Sequence, residues 1–74
     1  MIQVTAFDKQ TKPIATVSQT EPSDAAKSAL SLAHVARFIR ITNGDWVALY
    51  PSYVQVSRSR LAHIIEHRAN VRFS

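Results

Sequence analysis

The chain has 74 residues, of which 46% are hydrophobic and 19% are charged, and its formal net charge is +4. This length allows a single domain spanning residues 1–74 with a small core, which buries roughly 60% of the surface that the unfolded chain exposes. The composition is that of a folded globular protein, and the lack of cysteine excludes disulfides and thiolate metal sites.

The first two predicted elements are strands that form a hairpin. The stretch IQVTAF alternates apolar and polar side chains, which is typical of a strand. The stretch DKQTK is a polar turn, and PIATVSQ is the second strand. Its Pro13 cannot donate to a ladder, which suits a strand end.

A helix is predicted next, in the stretch TEPSDAAKSALSLAHVA. Its apolar residues recur at helical spacing and are mostly small: Ala26, Ala29, Leu30 and Ala33. Such a face can lie close to a sheet. Thr20 or Ser23 is expected to cap the amino end of the helix.

The stretch VARFIRITNGDWVALYP predicts a second hairpin. Asn43-Gly44 favours a type I′ turn, because both central residues of that turn need a positive φ. A loop of these two residues pairs Ile41 with Trp46 and Arg37 with Tyr50.

Alternation then sorts the side chains of this hairpin into two largely apolar faces. One face carries Ala36, Phe38, Arg40, Val47 and Leu49. The other face carries Arg37, Ile39, Ile41, Trp46, Ala48 and Tyr50. The first helix needs only one of them, so either a second helix covers the Trp46 face or that face meets a partner. We predict a partner, because burying the unpaired Arg37 at its end would be very costly.

The remaining predicted elements are a short strand in YVQV, a helix in SRSRLAHIIEHRA capped by Ser57 or Ser59, and a tail or edge strand in NVRFS. The resulting order, β-β-α-β-β-β-α, indicates a small α+β domain with an antiparallel sheet.

The stretch HIIEH matches the H-x-x-E-H pattern of inverted zinc proteases, in which two histidines bind the metal and the glutamate activates water. Those enzymes take a third ligand from well downstream, but only seven residues follow His67, and nothing brings His34 close. We therefore interpret His63, Glu66 and His67 as a solvated helix face. A single glycine excludes a phosphate-binding loop, so we expect neither an enzyme nor a cofactor.

The amino-terminal residues lack the basic start and apolar run of a signal peptide. No apolar stretch approaches the ~20 residues of a membrane span. We expect a cytoplasmic protein with no membrane partner.

Binding residues are predicted in and around the second hairpin. Tryptophan, tyrosine and arginine are the residues most enriched at binding hot spots, and residues 38–74 carry five arginines against Asp45 and Glu66. The predicted partner-binding residues are Arg37, Trp46, Tyr50, Tyr53, Arg58 and Arg60.

The run from Ser23 to Val56 contains AAKSALSLA and VALYP. This run, just under half of the chain, resembles small phage-encoded anti-CRISPR proteins that inhibit type I CRISPR-Cas systems. The resemblance implies a non-enzymatic inhibitor in the host cytoplasm that binds a Cas protein or the crRNA-guided surveillance complex.

Two other functions agree with the residues. A small basic nucleic-acid-binding domain is one alternative, since arginines with interleaved aromatic residues suit backbone contact and base stacking. A homodimer is the other, because a second chain often completes a small core.

Overall fold

The computed structural model describes residues 1–71 and has an α+β fold. Its elements in chain order are β1 (Ile2–Phe7), β2 (Pro13–Gln19), α1 (Pro22–Leu32), β3 (Phe38–Asn43), β4 (Trp46–Pro51) and α2 (Arg58–His67). The strands form one antiparallel sheet in the order β2-β1-β3-β4, so β1 and β3 are central. The predicted α+β class is therefore confirmed. Neither helix of this described part is long and apolar enough to cross a membrane.

The predicted third strand of the carboxyl-terminal half is wrong, so the order is β-β-α-β-β-α. After β4 the chain turns, and the backbone N–H of Val54 donates to the carbonyl oxygen of Pro51 at 3.1 Å. Val54 and Val56 pack against the core from an irregular segment. The apolar and polar residues of this segment alternate because Val54 and Val56 are partly buried and their neighbours are exposed, although the segment pairs with no strand. Of the predicted tail or edge strand, Asn70 and Val71 have no regular structure, and the rest lies outside the described residues.

The register of the β3–β4 hairpin differs from the predicted one by two residues. Asn43 is the last residue of β3 and pairs with Trp46, so the loop consists of Gly44 and Asp45. Gly44 has a φ of 64°, and a glycine at the first loop position is the pattern of a type II′ turn. The Asn43 side chain donates from Nδ2 to the carbonyl oxygen of Ile65 at 3.2 Å. This bond to α2 stabilises Asn43 as part of the strand.

Both helices pack on the same face of the sheet. The buried apolar residues of that face are Ile2, Val4, Ala6, Ile39, Ile41 and Tyr50, and those of the helices are Ala25, Ala26, Ala29, Leu61, Ile64 and Ile65. The three alanines of α1 are fully buried, because small side chains let the helix backbone lie close to the strands. The predicted small-residue face of α1 is confirmed at Ala26 and Ala29, whereas Leu30 and Ala33 are only partly buried and Ala25 was not predicted. The remaining apolar face of the sheet has neither described helix on it.

The caps of the two helices differ. Glu21 is the N-cap of α1 and makes no capping hydrogen bond with its side chain, so neither Thr20 nor Ser23 caps this helix as predicted. Ser57 caps α2, and its hydroxyl oxygen accepts a hydrogen bond from the backbone N–H of Arg60 at 3.2 Å. The prediction of a serine cap on the second helix is thus confirmed and assigned to Ser57.

Candidate functional site

The face of the sheet opposite the helices, here the open face, is defined by the strand register. Its residues are Gln3, Thr5, Phe7, Thr16, Ser18, Phe38, Arg40, Thr42, Val47 and Leu49. Val47 is 57% exposed and Leu49 is 58% exposed. Arg40 is the charged residue of this set, and the set contains no carboxylate. The open face therefore combines exposed apolar surface with a positive charge.

Three residues on the central strands form an aromatic–arginine cluster: Phe7, Phe38 and Arg40. Phe7 of β1 pairs directly with Phe38 of β3. The guanidinium carbon Cζ of Arg40 lies 5.1 Å from the centroid of the Phe7 ring, which is within the range of a cation–π interaction. Together with Thr11 and Leu49, the cluster lines a depression of about 260 Å³.

Arg40 is exposed and has uncharged neighbours on both sides of its strand. It pairs with Thr5 of β1 and with Leu49 of β4. A cation–π contact at an exposed site contributes only about 0.5–1 kcal/mol. Because this contact is weak and uses no hydrogen bond, the guanidinium N–H groups of Arg40 are available to an anion.

The β1–β2 turn lies beside the cluster and is organised by Asp8. Its Oδ1 atom accepts hydrogen bonds from the backbone N–H groups of Gln10 at 2.8 Å and Lys12 at 2.9 Å. Thr11 in this turn has a φ of 60°, a left-handed conformation that only a few per cent of non-glycine residues adopt. The Asp8 carboxylate is engaged with the turn backbone, whereas Lys9 and Lys12 are exposed.

The structure places two of the predicted binding residues on the helix-covered face. Tyr50 is 1% exposed, and burial raises the pKa of its hydroxyl to about 12. Its assignment to a contact surface is wrong, because a side chain in the core cannot meet a partner. Trp46 is partly buried and packs against the core. The prediction that this face meets a partner fails because both helices cover it.

The other four predicted residues are exposed but lie in two groups. Arg37 precedes β3, and its carbonyl oxygen accepts a hydrogen bond from the backbone N–H of Ser52 at 2.8 Å, which places Arg37 near Tyr53. Arg58 and Arg60 lie in the first turn of α2. These groups therefore do not form one surface with Trp46 and Tyr50. Their contact with a partner remains a prediction.

Sequence reasoning missed the aromatic–arginine cluster, although one signal was available. Arg40 lies in the middle of a strand and shares a face with Phe38, Val47 and Leu49. Arginine is almost never fully buried unless it is paired. The position of Arg40 thus indicates which of the two apolar faces remains outside the core.

The histidines of the HIIEH stretch are adjacent and exposed on α2. The ring centroids of His63 and His67 lie 4.3 Å apart, and Glu66 is also exposed. Among residues 1–71, no group of three or more histidine, cysteine, aspartate or glutamate side chains could hold a metal ion.

A second depression, of about 440 Å³, lies between β2 and α1. Asp24 and Lys27 both line it, so their charges offset each other. Unlike the open face, this depression has no aromatic residue among the described residues that line it and no net positive charge.

Comparison with known proteins gives no match to a family model, a curated protein or a solved structure.

Proposed function

We propose that this chain is a non-enzymatic binding protein that inhibits host type I CRISPR-Cas immunity by contacting a Cas protein or the crRNA-guided surveillance complex. The open face is the contact surface. The observation that carries this proposal is a sheet face left uncovered by both described helices, with Val47 and Leu49 more than half exposed. Contiguous exposed apolar surface marks interaction sites in folded proteins.

The energetics of the open face favour a partner over solvent. Complete burial of an aliphatic side chain stabilises by about 1.5–3 kcal/mol, and folding leaves most of this contribution unrealised at Val47 and Leu49. When a partner covers Val47 and Leu49, this burial free energy contributes to binding. Arg40 lies beside them and is stabilised by a negative partner, so it adds selectivity to the apolar contact.

The charge of the chain restricts the type of partner surface. A net charge of +4 makes the chain a poor mimic of DNA, and the basic channel of a nucleic-acid complex repels it. The chain therefore binds an acidic patch of the complex or nucleic acid exposed on it. The open face meets both requirements, because it carries Arg40 and no carboxylate.

The resemblance to anti-CRISPR proteins supplies the class of target. The stretch AAKSALSLA belongs to α1 and its carboxyl end, and VALYP belongs to β4. The second stretch contributes Val47 and Leu49 to the open face, so one part of the resemblance coincides with the proposed contact surface.

A phage plaque assay tests this function. Expression of the chain in a host with active type I immunity is expected to restore plaques of a targeted phage. Leu49→Glu should abolish this effect, because it places a charge in the apolar contact. Val35→Glu is the matched control, because Val35 is 68% exposed and lies between α1 and β3, outside the open face. It should inhibit as well as the unchanged chain.

Two outcomes contradict the proposal. Immunity that stays intact against every type I subtype tested removes the inhibitor function. Full inhibition by the Leu49→Glu variant places the contact surface elsewhere on the chain.

A further inference from the structure

We infer that the aromatic–arginine cluster of Phe7, Phe38 and Arg40 is a binding site for single-stranded nucleic acid. A base lies against the aromatic rings, and a backbone phosphate binds the guanidinium group. This inference rests on the proposed use of the open face as the contact surface, and it names the chemistry of the ligand that the cluster takes.

The shape of the site fits one flat group of a longer polymer. Its depression of about 260 Å³ is smaller than the roughly 300–1,000 Å³ of pockets that enclose drug-sized ligands. Phe7 and Phe38 are direct partners on the two central strands, at the end of the sheet where β1 ends and β3 begins. A strand of nucleic acid can therefore place a base against them and continue across the sheet.

The charges around the cluster favour an anionic ligand. Arg40 lies on the open face, Arg37 is exposed next to β3, and Lys9 and Lys12 are exposed in the neighbouring turn. The nearby carboxylate, that of Asp8, accepts two backbone hydrogen bonds within the turn. Arg40 thus lies over an aromatic ring, and further positive charges follow in the adjacent chain segments. Aromatic rings beside positive charge are the combination that binds single strands by stacking and backbone contact.

The geometry favours a single strand over a duplex. Reading a duplex in its major groove requires a helix or a two-stranded ribbon that enters the groove, and neither described helix lies on the open face. Bases in a duplex are already stacked on each other. Phe7 and Phe38 are half-buried and line the depression, and only unpaired bases can stack on the part of their rings that is accessible.

The charges also disfavour a second copy of this chain on the same surface. A twofold interface through the cluster would use the same patch on both chains. It would bring the arginine and lysine groups of one chain towards those of the other, and like charges repel. An acidic protein segment would satisfy Arg40, but it would leave the paired Phe7 and Phe38 rings without a flat partner.

Fluorescence anisotropy with a labelled oligonucleotide of about ten thymidines tests the inference at low salt. Phe38→Leu should weaken binding about ten-fold, the loss expected for one stacked base. Arg40→Gln should also weaken binding, through loss of the phosphate contact. Lys27→Gln is the matched control, because it removes one positive charge from an exposed position of α1 outside the open face, and it should bind normally. In Arg40→Gln, the slope of log affinity against log salt should fall by about 0.7. Thermal unfolding checks that each variant is folded.

Several results overturn the inference. These are no binding at low salt, equal losses in Arg40→Gln and Lys27→Gln, or equally tight binding of a duplex of the same length. Displacement by polyglutamate as effective as by unlabelled oligonucleotide would identify an acidic protein segment as the ligand. The assay uses no CRISPR host, so an inhibitor that binds no oligonucleotide overturns only this inference. A chain that binds but does not inhibit overturns only the proposed function.

Discussion

Leu49 and Tyr50 are neighbours in β4 with opposite environments, and alanine at each position gives a sharp test of the fold. Tyr50 is 1% exposed and lies in the core, so Tyr50→Ala should cost about 3–5 kcal/mol, as truncation of large buried aromatic residues does. Leu49 is 58% exposed, so a little less than half of its surface is buried. Scaling the roughly 1.5–3 kcal/mol of a fully buried aliphatic side chain gives a loss of about 1 kcal/mol.

The difference is large compared with the stability of a small domain. At 0.05–0.15 kcal/mol per residue, a chain of this length has a free energy of unfolding of about 4–11 kcal/mol. Urea denaturation of both variants measures the losses, and Tyr50→Phe, which retains the ring, serves as the control. Equal losses in the two alanine variants would show that both faces of β4 are packed. That result would refute the assignment of an open face.

Three further predictions concern pH, capping and the hairpin turn. Burial raises the pKa of Tyr50 to about 12, so the unfolded state loses this proton first. Stability should therefore fall by up to about 2–3 kcal/mol as the pH rises from about 10 to about 12, and Tyr50→Phe should remove this decrease in denaturation curves. Ser57→Ala should cost about 1 kcal/mol through loss of the α2 cap, and Ser59→Ala should cost less in the same urea assay. Gly44→Ala should lower the free energy of unfolding by about 1–2 kcal/mol because φ is 64°, and an unchanged melting transition would contradict this.

The separation of the β3–β4 side chains into two faces could be predicted from the sequence, because it depends only on alternation. The observed register differs from the predicted one by two residues. Because side chains alternate between the faces with a period of two, this shift leaves every side chain on its predicted face. Trp46 and Tyr50 thus share a face in both registers. The α2 cap at Ser57 was likewise predictable, since capping is local.

The register itself could not be predicted from the hairpin residues alone. Asn43 is a common turn residue, but here its side chain donates to the carbonyl oxygen of Ile65 in α2. That contact lies 22 residues away along the chain, so no local pattern contains it. The resulting loop, Gly44-Asp45, also removes the predicted pairing of Arg37 with Tyr50.

The choice of the covered face was the main error for the candidate site. Both faces of the hairpin are apolar, and alternation gives no indication of which one the helices cover. The predicted pairing of Arg37 with Tyr50 favours an open Trp46 face, but Arg37 precedes β3 and is not part of either face. Arg40 was the informative residue, because it lies within the strand and is exposed.

An NMR titration of isotope-labelled protein with the single-stranded oligonucleotide tests the central claim, that the open face is the binding surface. We expect chemical-shift changes at the backbone amides of Phe7, Phe38, Arg40 and Leu49, and little change at Arg58 and Arg60 on α2. Binding that shifts the α2 amides and leaves the four open-face amides unchanged would contradict the claim.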